Sequence, residues 1–136
     1  MMVRLTPFEA RQWPPLALAY LGDAVLEISV RERILLSGSF RMNLVHRKTV
    51  RYVRASAQAD AMIALESQLN GEEEAIYKRG RNAKPGHVRR NADLTEYRLA
   101  TGFEALVGYL HLTDNQERLA WVLDTLYETV EGKETR

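Results

Sequence analysis

Apolar residues recur at helical spacing along nearly the whole chain, and runs alternating in the manner of strands are almost absent. That feature points to an all-α fold, because a period near 3.6 cannot present one clean face of a sheet to a core. At 136 residues the chain is long enough to bury a real core. It reads most simply as one domain over residues 1–136, with a folded core over about 14–130. No internal repeat, low-complexity tract or linker divides it.

Proline, glycine and cap residues punctuate the expected elements. A short turn near Thr6 and Pro7 precedes Pro14 and Pro15, which set up a helix start. A long helix is expected over residues 16–36, ended by Ser37 and Gly38, with Leu18, Leu21, Val25 and Ile28 as its core stripe. A second is expected over 43–53, with Leu44, Thr49, Val50 and Val53 facing inward, and a third over 56–69, stopping at Asn70 and Gly71. The acids at 72–74 open a fourth at the positive end of its dipole. It runs into RGRNAKPG, where Pro85 and Gly86 break it and a basic loop continues to Asn91. Asp93 caps a fifth over 94–111, carrying Phe103, Leu106, Val107 and Leu110. The last starts at Asp114 or Asn115 and packs Leu119, Val122, Leu123, Leu126 and Val130. The expected whole is a compact domain of six or seven helices.

One stretch of this pattern breaks its own rules. Residues 16–27 read LALAYLGDAVLE, and Asp23 is flanked by Leu21, Ala24, Val25, Leu26 and Ile28. A carboxylate in apolar company is costly unless compensated, and Gly22 beside it weakens a helix by about 1 kcal/mol. Adjacent local faults of this kind mark functional sites, although an aspartate on a solvated helix face would look the same. Glu104, inside ATGFEALVGYL, is a second acid among apolar residues, one turn before Gly108. Two such acids on different helices suggest a shared hard cation. Magnesium fits best, because it takes oxygen ligands and often needs only one or two carboxylates.

Other chemistries lack support. There is no cysteine, which excludes disulfides and thiolate metal sites and suits a reducing cytoplasm. His46, His87 and His111 are scattered without zinc spacing. No GxSxG elbow, P-loop or dinucleotide glycine motif appears. The N-terminal residues have no apolar leader, and no run approaches ~18 apolar residues, so secretion and membrane insertion are disfavoured.

Charge distribution says more than the net charge of +1. Residues 41–54 carry Arg41, Arg47, Lys48, Arg51 and Arg54 without an acid. Residues 75–92 carry Lys78, Arg79, Arg81, Lys84, Arg89 and Arg90, also without one. Such segregation can build a surface for a polyanion, or two ordinary solvated faces. With the paired acids, it favours metal-assisted hydrolysis of a polyanion.

At this point LAYLGDAVLE resembles the signature helix of the ribonuclease III family, and FEALVGYLHL resembles its second carboxylate helix, 81 positions further on when counted from Asp23 to Glu104. RGRNAK with its basic loop resembles the short subclass, Mini-ribonuclease III, which lacks a double-stranded RNA-binding domain. The resemblance places the family's catalytic, metal-binding acids on Asp23 and Glu104. Two other family carboxylates fall on Ala19 and Thr101 here, which leaves the number of metal ions open. Glu27 and Asp93 are weaker candidates for supporting contacts, their plainer roles being an i,i+4 partner for Arg31 and a helix N-cap.

The resemblance implies a cytoplasmic endoribonuclease for double-stranded RNA, using magnesium with manganese as a substitute, and leaving 5′-phosphate and 3′-hydroxyl ends. It implies a homodimer joined through the signature helix and precursor 23S ribosomal RNA as substrate, with a ribosomal protein as a further candidate partner. Arg79, Arg81, Asn82 and Lys84 are expected on the RNA backbone, and Arg89 and Arg90 in a loop near a groove; Lys48 and Arg51 are weaker candidates. The rival reading is a domain that has lost catalysis and holds RNA or an assembly partner, favoured by Ala19 and Thr101. A purely helical interaction protein without nucleic acid is a third.

Overall fold

A computed structural model of the chain describes residues 4–84 and 93–134. Among these residues seven α-helices run in the order α1 (Pro7–Arg11), α2 (Pro15–Leu36), α3 (Met42–Val53), α4 (Ala55–Leu65), α5 (Gly71–Asn82), α6 (Leu94–Leu112) and α7 (Gln116–Glu134). A single 3₁₀ turn, Glu66–Gln68, follows α4, and no strand occurs among the described residues. No helix among them is long and apolar enough to cross a membrane.

Local chemistry explains the starts. Thr6 accepts from Glu9 N–H while Glu9 accepts from Thr6 N–H, a reciprocal cap that nucleates α1. Asn70 and Glu73 do the same for α5. Asp93 accepts from the Glu96 N–H at 3.2 Å and caps α6. Pro15 occupies the first turn of α2, where its missing N–H costs nothing.

The fold is organised around α6. From Ala100 to Leu110 every residue except Glu104 is buried, and a helix apolar nearly all round belongs in a core. It packs against α2, α5 and α4, while α7 closes on α4 and α6. Leu5 N–H donates to Leu112 O at 3.0 Å and ties the N-terminal segment to the end of α6.

Several expectations are corrected. The inward stripe of α2 is Leu18, Ala19, Gly22, Leu26, Val30 and Ile34; Leu21 and Val25 are half-buried and Ile28 is 59% exposed. The expected stripe follows bulky side chains, whereas α2 meets α6 through its small ones. In α3, Val50 faces solvent and Val45 is buried in its place. The expected third helix ends four residues early, at Leu65, where the chain tightens into the 3₁₀ turn. Asp114 adopts φ 55°, which ends the α6 segment and delays α7 to Gln116.

One buried charge is fully paired. The Glu73 carboxylate, 1% exposed, receives Arg118 Nη2 at 2.6 Å and Nε at 2.7 Å. Burial pushes its pKa up, but the Arg118 and Asn70 hydrogen bonds and the Arg118 charge outweigh that and hold it below the ordinary carboxylate value. Arg118 also lies 4.1 Å over the Trp121 ring, so α5 and α7 are locked through one guanidinium.

Candidate metal centre

Glycines set the distance between the helices that carry the two acids. A Cβ built on Gly22 would stand 1.8 Å from the Glu104 carbonyl oxygen, and one on Gly108 would stand 2.0 Å from the Leu18 carbonyl oxygen. No side chain fits between these backbones, so α2 and α6 touch main chain to main chain. On another face of α6, a Cβ on Gly80 would come 2.8 Å from Ala105 Cβ, and Gly102 lies beneath Tyr77. The last turns of α5 therefore cross α6 at residues 101–105, the turn that carries Glu104.

This packing gives Gly22 a second meaning. The residue that costs a helix about 1 kcal/mol lets α2 approach α6 closely enough to place Asp23 beside Glu104. The two carboxyl groups lie within hydrogen-bonding reach of one another. The two differ in burial, for Asp23 is exposed and Glu104 is half-buried. Burial, then the hydrogen bond to Asp23 and its negative charge, push the Glu104 pKa up to about 8, and the Gln58 amide pulls the other way. Without a cation, these surroundings disfavour a second negative charge beside Asp23.

The donor set fits a hard divalent cation. Both acids offer oxygen, the chain has no cysteine, and a divalent charge would offset the repulsion that raises the Glu104 pKa. Among the described residues no group of three or more His, Cys, Asp or Glu could hold a metal, so the acids form a pair and not a cluster. Ala19, one turn before Asp23, is packed in the core. Thr101, one turn before Glu104, donates its hydroxyl to Tyr97 O at 2.9 Å within its own helix. Neither position supplies a further carboxylate.

The remaining candidates separate into different places. Arg79 donates from its two terminal nitrogens to Arg11 O at 2.8 Å and Trp13 O at 3.0 Å, holding the α1–α2 connection. Arg81 lies over the Tyr77 ring at 5.4 Å and donates to Asn82 Oδ1 at 3.2 Å, and Lys84 is exposed just beyond α5. These three stand at the end of the helix that crosses the Glu104 turn. Lys48 and Arg51 line a cleft between α2, α3 and α7, where Arg51 pairs with Glu134 at 2.9 Å. Glu27 pairs with Arg31 at 2.9 Å, and Asp93 serves as the α6 cap. Pro85, Gly86, Arg89 and Arg90 lie outside the described residues.

Sequence reasoning missed Gln58. It is 3% exposed and reaches Glu104 from α4. Its signal was present in the sequence, as one amide among the apolar residues Ala57, Ala59, Ala61, Met62 and Leu65.

Residues 16–115 match the Ribonuclease III domain, a span that includes both acids. A Mini-ribonuclease 3 of Enterococcus faecalis is 48% identical over 127 residues, covering 89% of this chain and 96% of that protein. A Mini-ribonuclease 3 of Symbiobacterium thermophilum is 49% identical, covering 87% and 91% respectively. A crystal structure of a protein from Fusobacterium nucleatum superposes with a TM-score of 0.78 at 27% identity, covering 87% of this chain and 94% of that one.

Proposed function

The chain belongs to the ribonuclease III family, as a ribonuclease III-type endonuclease, and from that premise we propose that Asp23 and Glu104 hold magnesium for cleavage of double-stranded RNA. The observation that carries this reading is the pairing of the two acids across the Gly22–Gly108 contact. Bound there, magnesium supplies Lewis acidity at the scissile phosphate and draws the proton affinity of a water down. Manganese, with the same preference for oxygen, substitutes for it.

The chain's own residues do the rest. Asp23, open to solvent, faces the incoming phosphate, and Glu104, backed by the core, fixes the inner edge of the site. Arg81, Asn82 and Lys84, beyond the crossing of α5 on α6, offer hydrogen bonds and positive charge to the sugar–phosphate backbone. A-form RNA is recognised mainly through phosphates and 2′-hydroxyls, so sequence selectivity is weak. The products are 5′-phosphate and 3′-hydroxyl ends.

The physiological substrate in this reading is precursor 23S ribosomal RNA in the cytoplasm, with a ribosomal protein as a partner in its presentation. The working unit is a homodimer joined through α2. Leu16, Tyr20, Ala24 and Ile28 form an exposed i,i+4 ridge on that helix, with Tyr20 85% exposed, which suits a self-complementary contact. The residues form a single nuclease domain.

A hairpin RNA cleavage assay with magnesium or chelator tests the centre. The parent cuts only with metal, and Asp23→Asn or Glu104→Gln binds the hairpin without cutting it. Cleavage at parental rates by both variants would remove the site assignment. The absence of acids at Ala19 and Thr101 favours one rival, a domain that binds RNA without cutting it, and a metal-independent, uncut complex of the parent would establish that instead.

A further inference from the structure

Gln58 is buried in α4, 3% exposed, where the other buried residues are Ala57, Ala59, Ala61, Met62 and Leu65. Its Nε2 donates to Val53 O at 2.8 Å, the carbonyl of the last residue of α3. Its Oε1 is buried with no hydrogen-bond partner among the described residues. An unpaired buried carbonyl is costly, and a leucine or methionine would fill the same volume without that cost. A polar side chain kept in the core against such a cost needs another role. The side chain also lies near enough to the Glu104 carboxyl, on the helix that α4 packs against, to favour its charged form.

We propose that Gln58 is a positioning residue of the metal centre: its amide, anchored on Val53, donates to the Glu104 carboxylate and aims it toward Asp23. This rests on the reading of Asp23 and Glu104 as metal ligands. Nε2 carries two hydrogens, so the bond to Val53 leaves one for Glu104. Because the anchor is a backbone carbonyl at the α3–α4 corner, the donor is fixed by the fold and not by another mobile side chain. Partners of this kind orient metal ligands and typically change metal affinity about 10–100-fold when removed. The plainer alternative is that Gln58 only satisfies the last carbonyl of α3, a role that affects stability and leaves metal affinity unchanged.

The test is a titration with Mn²⁺ alone, without RNA, following free Mn²⁺ by electron paramagnetic resonance on the folded full chain. Parental protein binds, Glu104→Gln loses binding, and Gln58→Met is expected to bind about 10-fold more weakly or worse. Parental affinity in Gln58→Met overturns the role of Gln58 and leaves the centre standing. Absence of binding by the parent overturns the centre, and this proposal with it. A second measurement needs no variant at Gln58. In ¹⁵N spectra of the parental protein, the Gln58 side-chain amide pair should shift on saturation with Mg²⁺, and it should also shift in Glu104→Gln. A stationary pair in both experiments overturns the proposal.

Discussion

Substituting Gly22 by alanine sets two known effects against each other. Alanine in a helix interior is favoured over glycine by about 1 kcal/mol, so on propensity alone the variant should be more stable. The new methyl would stand 1.8 Å from the Glu104 carbonyl oxygen, where ordinary contact begins at 3.4 Å, a shortfall of 1.6 Å. The obstacle is backbone in the central helix, which cannot rotate aside, so α2 and α6 must separate along their contact. Overpacking of this kind costs about 1–3 kcal/mol or more, and the separated helices also lose close packing. The packing cost wins, with a net loss of about 2 kcal/mol, which in a domain of this size lowers Tm by roughly 6–10 °C. Gly132→Ala is the control, since a Cβ there meets nothing within 4 Å and the helix gain of up to about 1 kcal/mol should appear unopposed. Thermal and urea melts followed by circular dichroism measure both. Cleavage of a hairpin RNA should fall about 100-fold or more in Gly22→Ala, because displacement of α2 carries Asp23 away from Glu104. A Gly22→Ala protein as stable as the parent would refute the main-chain contact and the geometry built on it.

Further outcomes follow from the same structure. With chelator present, the raised pKa of Glu104 means the native state holds a proton that the unfolded chain releases above about 4.5. Stability should therefore fall as pH rises from about 4.5 to about 8, by at most about 5 kcal/mol, and urea melts of Glu104→Gln should lack that slope. Glu73→Ala removes the partner of Arg118 and the acceptor for Asn70 N–H and should cost about 1–3 kcal/mol in the same melts. The depressed Glu73 pKa works in the opposite sense, its stabilisation being complete above the unfolded value and lost as pH falls through the folded one. Arg79→Ala should destabilise by about 1–3 kcal/mol through its two lost carbonyl contacts, visible in melts without RNA. Lys84→Ala should instead leave the melt unchanged and reduce the salt dependence of RNA binding by about one charge.

Much of the architecture was legible because helix starts and stops are written in local chemistry. Asp93 caps α6, Pro15 begins α2, and the turn after α2 falls at Ser37 and Gly38, as the residue types imply. The way the helices face one another was less legible. Periodicity weights large apolar side chains, so it pointed Ile28 inward and treated Gly22 as a defect, whereas α2 and α6 approach each other where side chains are missing. The acids themselves could be singled out from their apolar neighbours, but which of them is buried depends on the crossing of α2 on α6. Arg79 shows the same limit, since a run of basic residues does not reveal which cation is already engaged by a distant backbone. Gln58 was hidden for the opposite reason, as a lone amide carries no charge signal and becomes meaningful only once α4 is seen against α6.

Placing an acid on the most enclosed helix of a protein ties its availability to the cooperative unit. In a fold with a mobile lid or a peripheral loop, a site can open and close while the remainder holds. Here Glu104 sits midway along α6, whose residues are buried from Ala100 to Leu110 except Glu104 itself, and the helix carrying Asp23 is held by direct main-chain contact. An opening that separates the two helix backbones at Gly22 and Gly108 disturbs the core. Amide exchange at this contact should therefore report global unfolding, and the fraction of molecules with a correctly paired site equals the fraction folded. Heat inactivation and melting then become one event seen by two probes.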